Sequence, residues 1–128
     1  MRLAILCIFV FVLASCYSSR SEYYYFTHPK TLNKVLQQCH EGAMQGEACE
    51  RAKSAGLELE TLIHHFLEDQ SAYGQQILKA QIALAKTREE LPATENEKQR
   101  TSLEASIQKQ EQAIKKMKFV IGLYVKFE

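Results

Sequence analysis

Sulfur is where chemistry could begin in this chain. It holds four cysteines in 128 residues, and the neighbours of each narrow what its thiol can do. Leu13-Ala14-Ser15-Cys16 closes an apolar run with two small residues and a cysteine. Small side chains at Ala14 and Ser15 let a peptidase approach the backbone, and the Cys16 thiol supplies a nucleophile that can take a diacylglycerol. That is the pattern of a bacterial lipoprotein signal, cut before Cys16 and acylated on it. Residues 1–15 are then expected to leave, and Cys7 leaves with them. Cys39 and Cys49 remain. In the oxidising periplasm implied by such a signal, two cysteines close in sequence most simply form one disulfide. The sharper alternative is a zinc site built from Cys39, His40, Cys49 and His28, although no C-x-x-C pair is present.

The remaining polar clusters are poorer material for catalysis. There is no G-x-S-x-G, H-E-x-x-H, phosphate-binding loop or Rossmann glycine pattern. His64 and His65 are adjacent, so on a helix they point roughly 100° apart and cannot both chelate one ion from that turn. One is expected to be packed and the other solvated. Glu58 with Glu60, Glu89 with Glu90, and Lys115-Lys116-Lys118 read as solvated helix faces. Lysine and arginine number 16 against 15 acidic residues, a net charge of +1. That balance gives no footprint for nucleic acid and no polybasic patch for anionic lipid. The expectation is that the chain is not an enzyme, with no metal, no small-molecule substrate and no cofactor beyond the lipid on Cys16.

The elements that must carry these residues can be read in chain order. Met1 and Arg2 make a short positive start. Leu3 to Leu13 is apolar but well short of the roughly 20 residues that a membrane-spanning helix needs. Residues 16–22 read as a polar tether, spanning at most about 20 Å beyond the lipid site. Tyr23-Tyr24-Tyr25-Phe26 follows. It is either an aromatic plug where the chain enters the fold or a contact surface for a partner or for lipid headgroups. Pro29 preceded by Thr27-His28 marks a helix start, and Leu32, Val35, Leu36 and Cys39 recur at helical steps. Residues 29–40 should therefore form a short amphipathic helix, ended by a turn at Gly42 and Gly46.

A second helix is expected from Glu47. Its seam runs Cys49, Ala52, Gly56, Leu59, Ile63, Phe66, Gln70, Tyr73, Ile77, Ala80, Leu84, Thr87 and Leu91, in steps of three and four. Pro92 stops it. Thr94 to Glu97 matches the S/T-x-x-E capping box, so a third helix should start near Glu95. Its seam is Leu103, Ile107, Gln110, Ile114, Met117, Ile121 and Tyr124. Two such stripes joined by a short loop must run antiparallel. Folding them back places Leu84 opposite Leu103, Phe66 opposite Ile121, and Tyr124 beside Thr61 to His64. The expected fold class is all-α, a short disulfide-linked N-terminal helix packed on a long, coiled-coil-like antiparallel helical hairpin. The expected divisions are a signal at 1–15, a tether at 16–22, a disulfide-bearing segment at 23–56 and the hairpin at 57–128.

One stretch has a family pattern. Glu22-Tyr23-Tyr24, His28-Pro29, Leu36, Cys39, Ala48-Cys49 and Ala52 together resemble the entry-exclusion lipoproteins of conjugative elements (the EexN and TrbK type). The resemblance covers roughly residues 1–55, and the long hairpin beyond it is a departure, since many members end soon after the second cysteine. What it implies is a lipoprotein in the envelope of a Gram-negative bacterium, facing the periplasm, that blocks redundant conjugative DNA transfer by binding a component of an incoming type IV secretion system. It also implies that Tyr23, Tyr24, His28 and Pro29 are motif residues available for partner contact, and that Cys39 and Cys49 match the family's cysteine pair. Tyr17 is not the aspartate associated with inner-membrane retention in enteric bacteria, so inner and outer membrane both stay open. The other reading is a structural envelope lipoprotein whose hairpin scaffolds an assembly or self-associates.

Overall fold

The computed structural model describes residues 20–125. Cys16, the apolar leader and the expected cleavage site lie outside the described residues. Every regular element among those described is helical: α1 at Glu22–Thr27, α2 at Pro29–His40, α3 at Glu47–Glu68, α4 at Gln70–Glu90 and α5 at Glu97–Val125. Two compact units divide between Leu59 and Glu60, inside α3 and slightly beyond the boundary expected at residue 56.

The first unit is built around α1, α2 and the start of α3. Ser21 caps α1, its Oγ accepting from Tyr24 N–H at 3.1 Å, and Thr27 Oγ1 donates back to Tyr23 O at 3.0 Å. The end of the expected tether therefore belongs to the folded head, because Ser21 and Glu22 supply a helix start. Pro29 sits in the first turn of α2, where its missing N–H leaves no helix acceptor unmet. Leu32 and Val35 are buried on the inner face of α2. Gly42 and Gly46 take φ of 76° and 85°, left-handed conformations that a side chain disfavours. They turn the chain while Gln38 O accepts from Ala43 N–H at 2.9 Å and Met44 N–H at 3.1 Å. Glu47 and Glu50 open α3 in its first turn, where negative charge suits the helix dipole.

Leucine side chains of α2 reach α3 where α3 carries small residues. Ala52 and Ala55 are fully buried. A Cβ placed on Gly56 would lie 3.5 Å from Leu36 Cδ1 and 4.0 Å from Leu32 Cδ2. Tyr25 and Phe26, both at zero exposure, belong to the buried set together with Leu32, Val35 and Cys49.

In the second unit α4 and α5 run antiparallel. Tyr73 Oη donates to Met117 O at 3.2 Å, Gln110 Nε2 donates to Thr87 Oγ1 at 3.2 Å, and Arg88 pairs with Glu111 at 2.5 Å. Phe66, Tyr73, Ile77, Leu84 and Ile114 are buried, all of them seam positions. Tyr124 comes back against Phe66 with ring centroids 5.3 Å apart.

Five details differ from the sequence expectation. The second helix is not continuous: it breaks at Asp69, whose carboxylate caps α4 by accepting from Ala72 N–H at 2.9 Å. Gln70, placed on the seam, is exposed there. The third helix starts at Glu97 because Asn96, not Thr94, caps it, with Asn96 Oδ1 accepting from Lys98 N–H at 2.9 Å and Gln99 N–H at 3.3 Å. Thr94 instead donates to Glu90 O. Pairing across the hairpin falls further along α5 than a tight fold-over implies, since Thr87 meets Gln110 and Phe66 meets Tyr124. Residues 91–96 form a loop, and the long side chains reach diagonally across the pair. Val120, off the seam, is fully buried.

Candidate functional site

The residues singled out for chemistry or contact fall in the first unit, apart from Cys16 in the undescribed stretch. Cys39, at the last turn of α2, and Cys49, in the first turn of α3, form a disulfide with Cα atoms 5.8 Å apart, within the ordinary span of such a bridge. Both sulfurs are thereby bonded to each other, which overturns the zinc alternative: a zinc thiolate needs a free, deprotonated sulfur. Among the described residues no group of three or more His, Cys, Asp or Glu is arranged to hold a metal. The bridge closes a ten-residue separation and locks the Gly42–Gly46 turn, so α2 cannot swing away from α3.

The aromatic run divides between inside and outside. Tyr25 and Phe26 are plug residues at zero exposure, and among the described residues the Tyr25 hydroxyl has no hydrogen-bond partner. Tyr23 and Tyr24 are half-buried and His28 is exposed. Tyr24 is the centre of a layered group. His28 stacks on its ring at 4.0 Å and 14° between planes, and the Arg20 guanidinium lies 4.7 Å from its centroid. Tyr25 meets it edge-on at 6.0 Å. His28 Nδ1 lies 2.8 Å from Tyr24 O and 3.1 Å from Thr27 Oγ1. A carbonyl oxygen can only accept, so Nδ1 carries the hydrogen and Nε2 is left as the ring's acceptor when the imidazole is neutral. Arg51, ion-paired with Glu47, donates through Nη1 to Arg20 O at 3.2 Å and so ties the chain before α1 to α3.

Sequence reasoning passed over Arg20 by placing it in the tether. The signal for it was present: Arg20, Tyr24 and His28 stand at successive four-residue intervals, the spacing of neighbours on one helix face. Pro29, the other motif residue, does structural work by starting α2. Tyr23, Tyr24, His28 and Pro29 are thus brought together in one corner of the head, and Cys39 and Cys49 at the other end of α2.

Elsewhere, His64 and His65 are both exposed, correcting the expectation that one would be packed. His64 Nδ1 lies 3.3 Å from Glu68 Oε2, and the two imidazoles meet edge to face at 6.4 Å. Beside them, an open hollow of about 180 Å³ is lined by His65, Glu68, Asp69, Ala72, Tyr73 and Gln76. Burial pushes the Tyr73 phenol up to about 12, so this group stays protonated and serves as a hydrogen-bond donor. At the hairpin tip, Glu90, Ala93, Thr94, Gln99, Ser102 and Leu103 surround a wider open depression. Among the described residues no helix is long and apolar enough to cross a membrane. Compared with family models, with curated proteins and with solved structures, the chain has no match.

Proposed function

We propose that this chain is a lipid-anchored envelope protein, held through Cys16 and facing the periplasm, that blocks redundant conjugative DNA transfer by binding a component of an incoming type IV secretion system. The observation that carries the reading is the clustering of its motif residues. Described pieces of the family pattern, the tyrosines, His28-Pro29, the short helix and the cysteine pair, fall within a single compact unit of residues 20–59. What supports it chemically is a rigid head: a core of Tyr25, Phe26, Leu32 and Val35 held by a disulfide clasp.

The test is DNA transfer from a donor carrying the same conjugative element into recipients with the gene intact, deleted, or carrying Cys39→Ser. The deletion should raise transfer, and Cys39→Ser should raise it in proportion to the loss of folded head. Unchanged transfer into the deletion strain would sink the reading.

A second reading, an envelope scaffold that self-associates through its hairpin, is favoured by one observation. Leu78 and Ile82 are 57% and 62% exposed on α4, one helical turn apart, and the space at Gly74 on the turn before is open. It predicts concentration-dependent dimerisation in sedimentation, abolished by Leu78→Glu with Ile82→Lys, together with unchanged DNA transfer.

A further inference from the structure

The Arg20–Tyr24–His28 stack lies at the end of the head closest in sequence to Cys16. Three residues separate Cys16 from Arg20. The covalent chain between them spans at most about 14 Å when fully extended. If Cys16 is acylated and sits at a bilayer surface, Arg20 cannot leave the neighbourhood of the lipid headgroups, whatever path residues 17–19 take.

What the chain offers at that level suits the location. Tyrosine favours the boundary between hydrocarbon and water, where its ring is partly apolar and its hydroxyl wet. Tyr23 and Tyr24 are the half-buried members of the aromatic run. The Tyr24 ring carries a guanidinium against it and an imidazole stacked on it, so cationic and donor groups are held at the ring instead of floating on flexible stems. Across residues 20–59 five basic side chains are balanced by five acidic ones, so the positive charge this face offers is the Arg20 guanidinium held at the Tyr24 ring.

The geometry points to a membrane foot: the face of the head carrying Arg20, Tyr24 and His28, with Tyr23 next along α1, rests in the headgroup layer of an anionic phospholipid bilayer. The inference deepens the proposed function and rests on its lipid anchor. Magnitudes set the foot's task. A basic residue near an anionic leaflet contributes about 1 kcal/mol, so one guanidinium cannot hold a protein on a membrane unaided. Acyl chains supply the hold, and the foot sets which way the tethered head faces. Tyr24 and His28 then meet lipid, and a protein partner is met by the surfaces of the head that point away from the bilayer.

The chain has no tryptophan, which makes one introduced tryptophan an unambiguous reporter. The chain from Cys16 onward contains the whole described fold. It is coupled through Cys16 to maleimide lipid in vesicles of phosphatidylcholine and phosphatidylglycerol, with part of the phosphatidylcholine brominated. Tyr23→Trp reports the foot. Ala43→Trp is the control, beyond the far end of α2 and roughly 18 Å along that helix from His28. The Tyr23→Trp fluorescence should be quenched several-fold more than that of Ala43→Trp. Adding Arg20→Glu, or replacing phosphatidylglycerol by phosphatidylcholine, should at least halve that quenching while the far-ultraviolet dichroism stays unchanged. Equal quenching at the two positions, or quenching at 23 that ignores both changes, would overturn the foot and leave the anchor standing. The mass of the native mature protein is read in parallel. A Cys16 without acyl chains would defeat the anchor, and with it the reason for a foot, whatever the coupled sample shows.

Discussion

Consider cutting the clasp between α2 and α3. The Cys39–Cys49 bridge spans ten residues of sequence. On the loop-entropy model, a closed loop of about 11 residues restricts the unfolded chain by about 9 cal/mol/K, or about 2.7 kcal/mol at 25 °C. That is large for this head. Residues 20–59 form the first unit, a stretch near the size of about 40 residues below which small folds usually need a staple. Cys49 is 4% exposed, so alanine suits that position better than serine, whose hydroxyl would be buried; Cys39 is only half-buried and tolerates serine. The double variant Cys39→Ser/Cys49→Ala should lose about 2 to 3 kcal/mol of head stability in urea unfolding followed by far-ultraviolet dichroism. Tyrosine fluorescence gives a second probe. Wild-type protein in excess reductant should unfold at nearly the same urea concentration as the double variant. A loss below about 0.5 kcal/mol in both samples would mean that packing of α2 on Ala52, Ala55 and Gly56 holds the head by itself, and the staple argument would be wrong.

Three further perturbations probe other joints. Tyr73→Phe removes the hydroxyl that donates to Met117 O and should cost about 1 kcal/mol of hairpin stability in urea titration. Because burial raises the Tyr73 phenol from 10.0 to about 12, the folded hairpin prefers the neutral form. Its contribution is complete below pH 10 and is lost as pH rises towards 12. Alkaline unfolding should therefore shift upward in Tyr73→Phe, and an identical alkaline midpoint would count against the assignment. Gly56→Ala places a methyl in ordinary contact with Leu36 Cδ1 at 3.5 Å and removes a flexible residue from α3. Stability should rise by about 0.5 to 1 kcal/mol, and a thermal melt showing destabilisation would mean that α2 and α3 cannot give by the small amount required. Asp69→Ala deletes the cap on Ala72 N–H and should cost about 1 kcal/mol; a variant more stable than the parent would show that the cap does not hold the break.

The legible parts of the fold are those where a local signal and a tertiary need agree. Helix α2 covers Pro29–His40 as expected, because proline at its start, a clean apolar stripe and glycines beyond its end all favour the same bounds. The two glycine turns and the start of α3 at Glu47 follow for the same reason. Seam positions Leu59, Phe66, Tyr73, Ile77, Leu84 and Ile114 are buried because period alone identifies the face that a partner helix must cover. The cap of α5 was misplaced for a physical reason: Thr94 and Asn96 both have capping chemistry, and only loop geometry chooses between them. Val120 was missed since its burial on a second face of α5 depends on contacts that a one-stripe reading does not contain. At the candidate site, the cysteine pairing is legible in the short spacing between Cys39 and Cys49, which the bridge closes. The inward-facing Tyr25 and Phe26 and the outward-facing Tyr24 were not, because four adjacent aromatics carry no period until Ser21 and Thr27 define the helix they lie on.

The break at Asp69 is the place where local sequence and tertiary packing pull apart. No proline or glycine occupies Glu68-Asp69-Gln70, and the apolar seam keeps its period straight through, so nothing local forbids one helix from Glu47 to Glu90. Packing supplies the reason for the break. In an unbroken helix Phe66 and Tyr73 stand two turns apart, with a rise of about 10.5 Å between them. In the protein their rings meet edge to face at 5.4 Å, Tyr124 lies on Phe66, and the Tyr73 hydroxyl reaches Met117 O. The break lets two large rings share one cluster in place of two separate contacts, and edge-to-face pairs contribute about 0.5 to 1.5 kcal/mol beyond area burial. The opposing cost is small. Asp69 Oδ1 takes one of the stranded N–H groups, while Asp69 N–H still reaches His65 O and Tyr73 N–H reaches Asp69 O. Gln70 and Ser71 are exposed, so water can satisfy their backbone groups. Aromatic packing gains more than interrupted helix loses, and the exposed aspartate makes the interruption cheap.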